Sequence, residues 1–169
     1  DANSTLRLSY GKVRSLPKDP RNDASVNNYT TFKGMIKKYK PNDEEFDFMM
    51  FMYQKHGRIS YDRVLSGSGL KEMYTFFVER HGGASSLEVE EKVKAGEDLA
   101  KIITGQALEK GDPICCRALE FFVKIYGAEA GNLALHQLAR GGLYVGGGIA
   151  PKILEELKKP AFMEAFLDK

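Results

Sequence analysis

The sequence predicts a mixed α/β fold in which helix outweighs strand, and three features carry that prediction. Leu6, Leu8 and Tyr10 alternate with polar residues, the two-residue period of a half-buried strand. From residue 42 to residue 138 the apolar residues recur instead at helical spacing, punctuated by Gly and Pro. The chain then runs through a short apolar strand into Gly146, Gly147 and Gly148 and on into another helix. Strand, helices and a closing strand–loop–helix unit form the pattern of helices laid on a sheet. Two or three strands are too few for a self-sufficient doubly wound sheet. The other strands are therefore expected from elsewhere, unless the chain is a helix-rich lobe.

Taken in order, residues 5–10 read as a strand, Gly11-Lys12 as a turn and 13–16 as a short return strand. Residues 17–40 are polar, with turn chemistry at 18–23 and one short helix expected within 30–39. Asn42 and Glu45 have capping-box spacing, so a helix starts there. Phe46, Met49, Met50 and Tyr53 are its expected apolar face and Gly57 its stop. Ser68 is suited to cap a second helix, 70–80, whose face is Leu70, Met73, Tyr74 and Phe77, with Gly82-Gly83 after it. A short charged helix follows at 86–94 and another at 99–108. Asp112-Pro113 opens a long helix, because Asp accepts from the free amides and Pro tolerates the first turn. Its face is expected to run from Ile114, Ala118, Phe121, Phe122 and Ile125 through Leu133 and Leu135 to Leu138. Residues 143–145 make the closing strand, 152–158 a helix, and Pro160 restarts the chain into a last helix.

The composition narrows the function classes. At 169 residues and 43% apolar, the chain suffices for one domain with a real core. Its 25 basic and 23 acidic residues are interleaved, so no basic stripe points to a nucleic-acid partner. The run 48–53 is far shorter than the ~20 residues of a membrane-spanning helix. Cys115 and Cys116 are neighbours and cannot staple a domain, so an intracellular, reducing setting (cytoplasm or organelle interior) is expected rather than secretion. His56, His81 and His136 lack metal-ligand spacing, and no metal site is expected from them. The first residue is Asp rather than Met and the last helix has no cap, which reads as a piece of a longer or processed chain.

Two segments carry chemical information. Gly146, Gly147 and Gly148 lack side chains between a strand and a helix start, where a ligand's phosphate approaches backbone amides closely. A plain tight turn explains the same glycines, and the full phosphate fingerprint is missing. The second segment is Asp62-Arg63-Val64-Leu65-Ser66-Gly67-Ser68-Gly69-Leu70. One reading makes Asp62 an acceptor for sugar hydroxyls. The other is a capped loop with a surface Asp62–Arg63 pair.

Arg63-Val64-Leu65-Ser66-Gly67-x-Gly69-Leu70 resembles the R-V-L-S-G-x-G-L segment of the bacterial-type glucokinase family. Pro41-Asn42-x-Glu44-Glu45 is similar to that family's P-N-x-E-E, and Ile103 to Phe122, with Cys116-Arg117-Ala118-Leu119, to its next helical pair. Gly131-Asn132-Leu133-Ala134-Leu135 is similar to its G-N-L-A-L helix. Gly141-Gly142, then Gly147-Gly148-Ile149 and Pro151, resemble its G-G-V-x-x-x-G-G-I-x-P loop. Ala165-Phe166-x-Asp168-Lys169 is similar to the segment before its last strand and helix. The motifs fall in family order across 41–169.

The resemblance implies the C-terminal, helix-rich part of the large domain of an actin-like (ribonuclease H-like) sugar kinase. Glucose would sit in a cleft and ATP with Mg²⁺ against the larger lobe, with in-line phosphoryl transfer as the chemistry. It implies a sugar contact for Asp62, where the family has Glu, and nucleotide contacts for Gly146, Gly147 and Gly148. No catalytic residue falls within this chain.

The departures are as specific. The family's D-x-G-G-T loop and its Asn-Asp pair, whose Asp is the base, are absent. Asp1-Ala2-Asn3-Ser4-Thr5 does not match G-T-G-L-G. Lys18-Asp19-Pro20-Arg21-Asn22 and an insertion replace G-E-G-G-H. The sequence is therefore expected to form one glucokinase-like domain over 1–169, divergent in 1–40 and family-like in 41–169, inactive alone. Its expected role is a non-catalytic structural or interaction subunit with protein partners in a larger assembly. The alternative is an ATP-dependent glucokinase whose N-terminal lobe is missing or supplied by another polypeptide. A plain carbohydrate- or nucleotide-binding module is the third class.

Overall fold

Helix α1, Glu44–His56, carries Glu44, Glu45 and Asp47 in its first turn and Lys55 and His56 in its last, charges that complement the helix dipole. Gly57 ends it in the left-handed region (φ +68°), as expected. The computed structural model describes residues 44–80 and 86–168. The expected strand pair and insertion before residue 41, the capping Asn42 and the Gly82-Gly83 stop lie outside the described residues. Residues 48–169 belong to one compact unit, and Glu44–Asp47 fall beyond its boundary.

The buried face of α1 differs from the expected one. Phe48 and Met52 are buried and Phe51 packs beside them, whereas Tyr53 is exposed. Two stripes of this helix have helical spacing, and the aromatic partners choose between them. Phe48 meets Phe76 and Phe121 edge-on, with centroids 5.5 and 5.4 Å apart.

A single turn, α2 (Tyr61–Val64), leads into α3 (Gly67–Arg80), whose Leu70, Met73, Tyr74 and Phe77 are buried as expected. The cap is Ser66 rather than Ser68. Ser66 Oγ accepts from the Gly69 amide at 3.1 Å, three residues on, where a capping oxygen reaches. Ser68 instead bonds the Ser66 hydroxyl at 2.8 Å.

Helix α4 (Leu87–Lys94) is capped by Ser86, and α5 (Leu99–Gly105) by Asp98. The expected helix 99–108 changes character after Gly105. Gln106–Lys110 widen into a π-turn that Gly111 closes at φ +69°. Helix α6, Pro113–Gln137, starts as expected: Asp112 accepts from the Ile114 and Cys115 amides at 3.1 and 2.9 Å.

Helix α6 is the organising element, and α3, α5 and α8 (Pro160–Leu167) all pack on it. Its buried residues include Cys115, Ala118, Leu119, Phe121, Phe122, Val123 and Ala130. The expected extension of this face fails, since Leu133, Leu135 and Leu138 are exposed. The packing partners stop at Gly131, so the later leucines have nothing to bury against. Leu138 itself takes a left-handed backbone (φ 49°) and ends the helix.

No strand occurs among the described residues, and 143–145 run without ladder hydrogen bonds. A strand needs a paired neighbour, and no described segment supplies one there. The expected helix 152–158 is split into a 3₁₀ turn, Ala150–Ile153, and one α-turn, α7 (Leu154–Leu157). Pro160 then begins α8, as expected.

Candidate functional site

Asp62 lies in the first turn of α2, and its side chain is exposed. The turn is short but anchored. Val64 is buried, and Ile59 and Leu65 pack against the core on either side. The Val64 amide bonds the Ser60 carbonyl at 3.1 Å and the Leu65 amide the Tyr61 carbonyl at 2.7 Å. Ser66 Oγ closes the turn by donating to the Arg63 carbonyl at 2.8 Å.

The expected Asp62–Arg63 pair does not form. Ser60 Oγ donates to Asp62 Oδ2 at 3.1 Å. Arg63 turns the other way, with Nη1 3.1 Å from His56 Nδ1. His56 Nε2 in turn lies 3.1 Å from Glu72 Oε1, and Lys55 Nζ donates to Glu72 Oε2 at 2.7 Å. Nothing in the sequence announced this chain of contacts, because His56 and Glu72 are sixteen positions apart and belong to different helices.

Gly69 explains why the turn holds glycine here. A Cβ at Gly69 would overlap the Val64 carbonyl oxygen and lie 2.7 Å from the Arg63 carbonyl oxygen. The first turn of α3 thus rests directly on the backbone that carries Asp62.

The second segment has the opposite character. Leu143 and Ile149 pack against the core and Ala150 and Ile153 are buried, pinning both ends of the loop. Between them Gly146, Gly147 and Gly148 are exposed, and Gly147 has φ +96°. A Cβ at any of the three would meet nothing within 4 Å. Packing against the protein therefore does not explain three consecutive glycines. Gly147 has a backbone reason, and the other two leave room for an approaching group.

A cavity of about 440 Å³ lies elsewhere, between α6 and the α7–α8 segment. Cys116, Glu120, Glu156, Lys159 and Glu164 supply its polar lining, and neither Asp62 nor the three glycines reach it. Cys116 is only half-buried, unlike the fully buried Cys115, and its thiol donates to the Ala107 carbonyl at 3.4 Å. Burial, then the charge of Asp112, pushes the Cys115 thiol far up. Burial, followed by Glu156 and Asp112, raises Cys116 as well, so neither is an activated nucleophile. Among the described residues no group of three or more His, Cys, Asp or Glu is placed to hold a metal ion. No described helix is long and apolar enough to cross a membrane.

The family model described as glucokinase matches residues 21–169. A glucokinase of Synechocystis sp. is 43% identical over 138 residues, covering 74% of this chain and 39% of the relative. One of Nostoc punctiforme is 39% identical over 158 residues, covering 85% and 46%. The crystal structure of a glucokinase from an Antarctic psychrotroph superposes with a TM-score of 0.61 at 27% identity, covering 78% of this chain and 38% of that one. The chain thus spans less than half the length of these relatives, and its architecture is the helix-rich part of an actin-like sugar-kinase large domain. On the match across 21–169, the chain belongs to the glucokinase family.

Proposed function

We propose that this chain is the sugar- and nucleotide-contacting C-terminal part of an ATP-dependent glucokinase, converting glucose to glucose 6-phosphate. The observation that carries the reading is the pairing of two family segments with complementary properties. Asp62 is an exposed carboxylate on a turn fixed by buried neighbours, and Gly146–Gly148 form an open backbone loop pinned at both ends. The family match favours this catalytic reading over a scaffold subunit.

In this reading Asp62 accepts hydrogen bonds from sugar hydroxyls, and the Ser60 hydroxyl holds its other face. A carboxylate suits polyol recognition because it accepts only and orients several donors at once. The glycine loop fits a nucleotide, since side chains at Gly146 and Gly148 would occupy the space a phosphate or base needs. Mg²⁺, when bound with ATP, neutralises charge on the transferring phosphoryl group. Among the described residues no group of three or more His, Cys, Asp or Glu is gathered to hold it. The base that accepts the sugar's proton and the remaining phosphate contacts come from residues outside this chain. The free, adjacent Cys115 and Cys116 suit a reducing cell interior.

Replacing Asp62 tests the reading. In a coupled glucose 6-phosphate assay of the complete kinase that contains this part, Asp62→Ala should lower kcat/KM for glucose roughly 10- to 100-fold, the worth of hydrogen bonds to a charged group. KM for ATP should hold. Unchanged glucose kinetics in a folded variant would remove Asp62 from the sugar site.

A further inference from the structure

We propose that His56 and Glu72 are positioning residues that hold the Asp62 turn in register for sugar binding. The proposal rests on the sugar-contact reading of Asp62. A four-residue helix cannot maintain itself, because one turn gains too few hydrogen bonds for the dihedrals it fixes. Its C-terminal side is held by buried Val64 and by Gly69 pressed on the Val64 carbonyl. Its outward side, where Asp62 sits, is tied through Arg63 to the relay Arg63–His56–Glu72. That relay joins the end of α1 and the middle of α3 to the turn between them. His56 and Glu72 are 22% and 17% exposed at their side chains, so the His56–Glu72 contact is partly sheltered from solvent, while the Arg63–His56 contact is exposed.

The relay dictates one form of the imidazole. Arginine only donates, so His56 Nδ1 must accept from Arg63 Nη1. The proton then sits on Nε2 and is donated to the Glu72 carboxylate, which only accepts. Lys55 neutralises the second Glu72 oxygen, so that the carboxylate is engaged on both sides. His56 acts through Arg63 and does not touch substrate.

The experiment is amide hydrogen exchange on the intact chain, with ¹⁵N NMR of the His56 ring. The wild type should show the Nε2–H tautomer. His56→Phe and Glu72→Met should each speed exchange at Val64 and Leu65 about tenfold or more, while amides in the centre of α6 keep their protection. His56→Gln, whose amide both donates and accepts, should restore much of the protection. Glucose affinity should fall in the same order across these variants. An Nδ1–H tautomer, or unchanged exchange at Val64 and Leu65 in both breaking variants, would overturn the proposal. If the wild type binds no glucose while exchange responds as stated, the relay stands as a clamp on the turn and the sugar reading of Asp62 fails.

Discussion

At Gly69 the first turn of α3 lies against the backbone of α2, and a methyl group there would overlap the Val64 carbonyl. Backbone cannot move aside as a side-chain tip can, so Gly69→Ala should destabilise the chain by about 3 kcal/mol, the upper end of overpacking costs. Thermal unfolding reads this directly. Asp112 gives a second prediction. Burial pushes its carboxyl up, but the amide and thiol of Cys115, the Ser86 hydroxyl and the Ile114 amide together hold it below its ordinary value of 3.8. A lowered folded-state value means the cap's ionic contribution is complete above pH 3.8 and is lost as the pH falls further. Asp112→Ala should cost about 1 kcal/mol at neutral pH. Asp112→Asn should keep most of the cap yet flatten the acid limb of a stability–pH profile. The Asp112-Pro113 start was legible in the sequence because capping is local chemistry. The Ser66 cap was not: Ser66 and Ser68 both precede the expected helix 70–80, and only the path of the turn, which starts the helix at Gly67, decides which oxygen faces the Gly69 amide.

Helix α6 and the last helix approach so closely that a Cβ at Gly127 would overlap the Phe162 carbonyl oxygen and lie 3.0 Å from its carbon. Gly127 thus does for α8 what Gly69 does for α2. Gly127→Ala should push α8 off α6 and break the edge-on contact of Tyr126 with Phe162, now 6.1 Å between centroids. Loss of Phe162 burial and increased proteolysis before Pro160 would register that separation. The existence of most helices was readable from spacing and caps, since a 3.6-residue period needs only one buried stripe. Which stripe is buried was less readable. On α1 the 48/52 stripe won over 49/53 because Phe76 and Phe121 face it. On α6 periodicity carried on through Leu133 and Leu135, but the packing partners ended first. The π-turn after Gly105 left no compositional mark, and the apolar run at 143–145 forms no strand, with Tyr144 and Val145 exposed and no described segment paired to it.

Within the unit 48–169, the described helices pack around α6, and two exposed segments, the Asp62 turn and the glycine loop, stand out from that packing. Both were visible in the sequence as motifs, because family chemistry is written in residue identity at fixed spacing. The relay behind the turn was invisible because it joins residues from separate helices. The chain spans less than half of its relatives' length, and the proposed sugar site rests on Asp62. The most direct measurement is calorimetric titration of the purified chain with glucose. Saturable binding near or below ~1 mM, within the usual range of enzyme substrate affinities, that is lost in Asp62→Ala is the predicted result. No heat from a folded chain at saturating glucose, or binding that Asp62→Ala leaves intact, would contradict it.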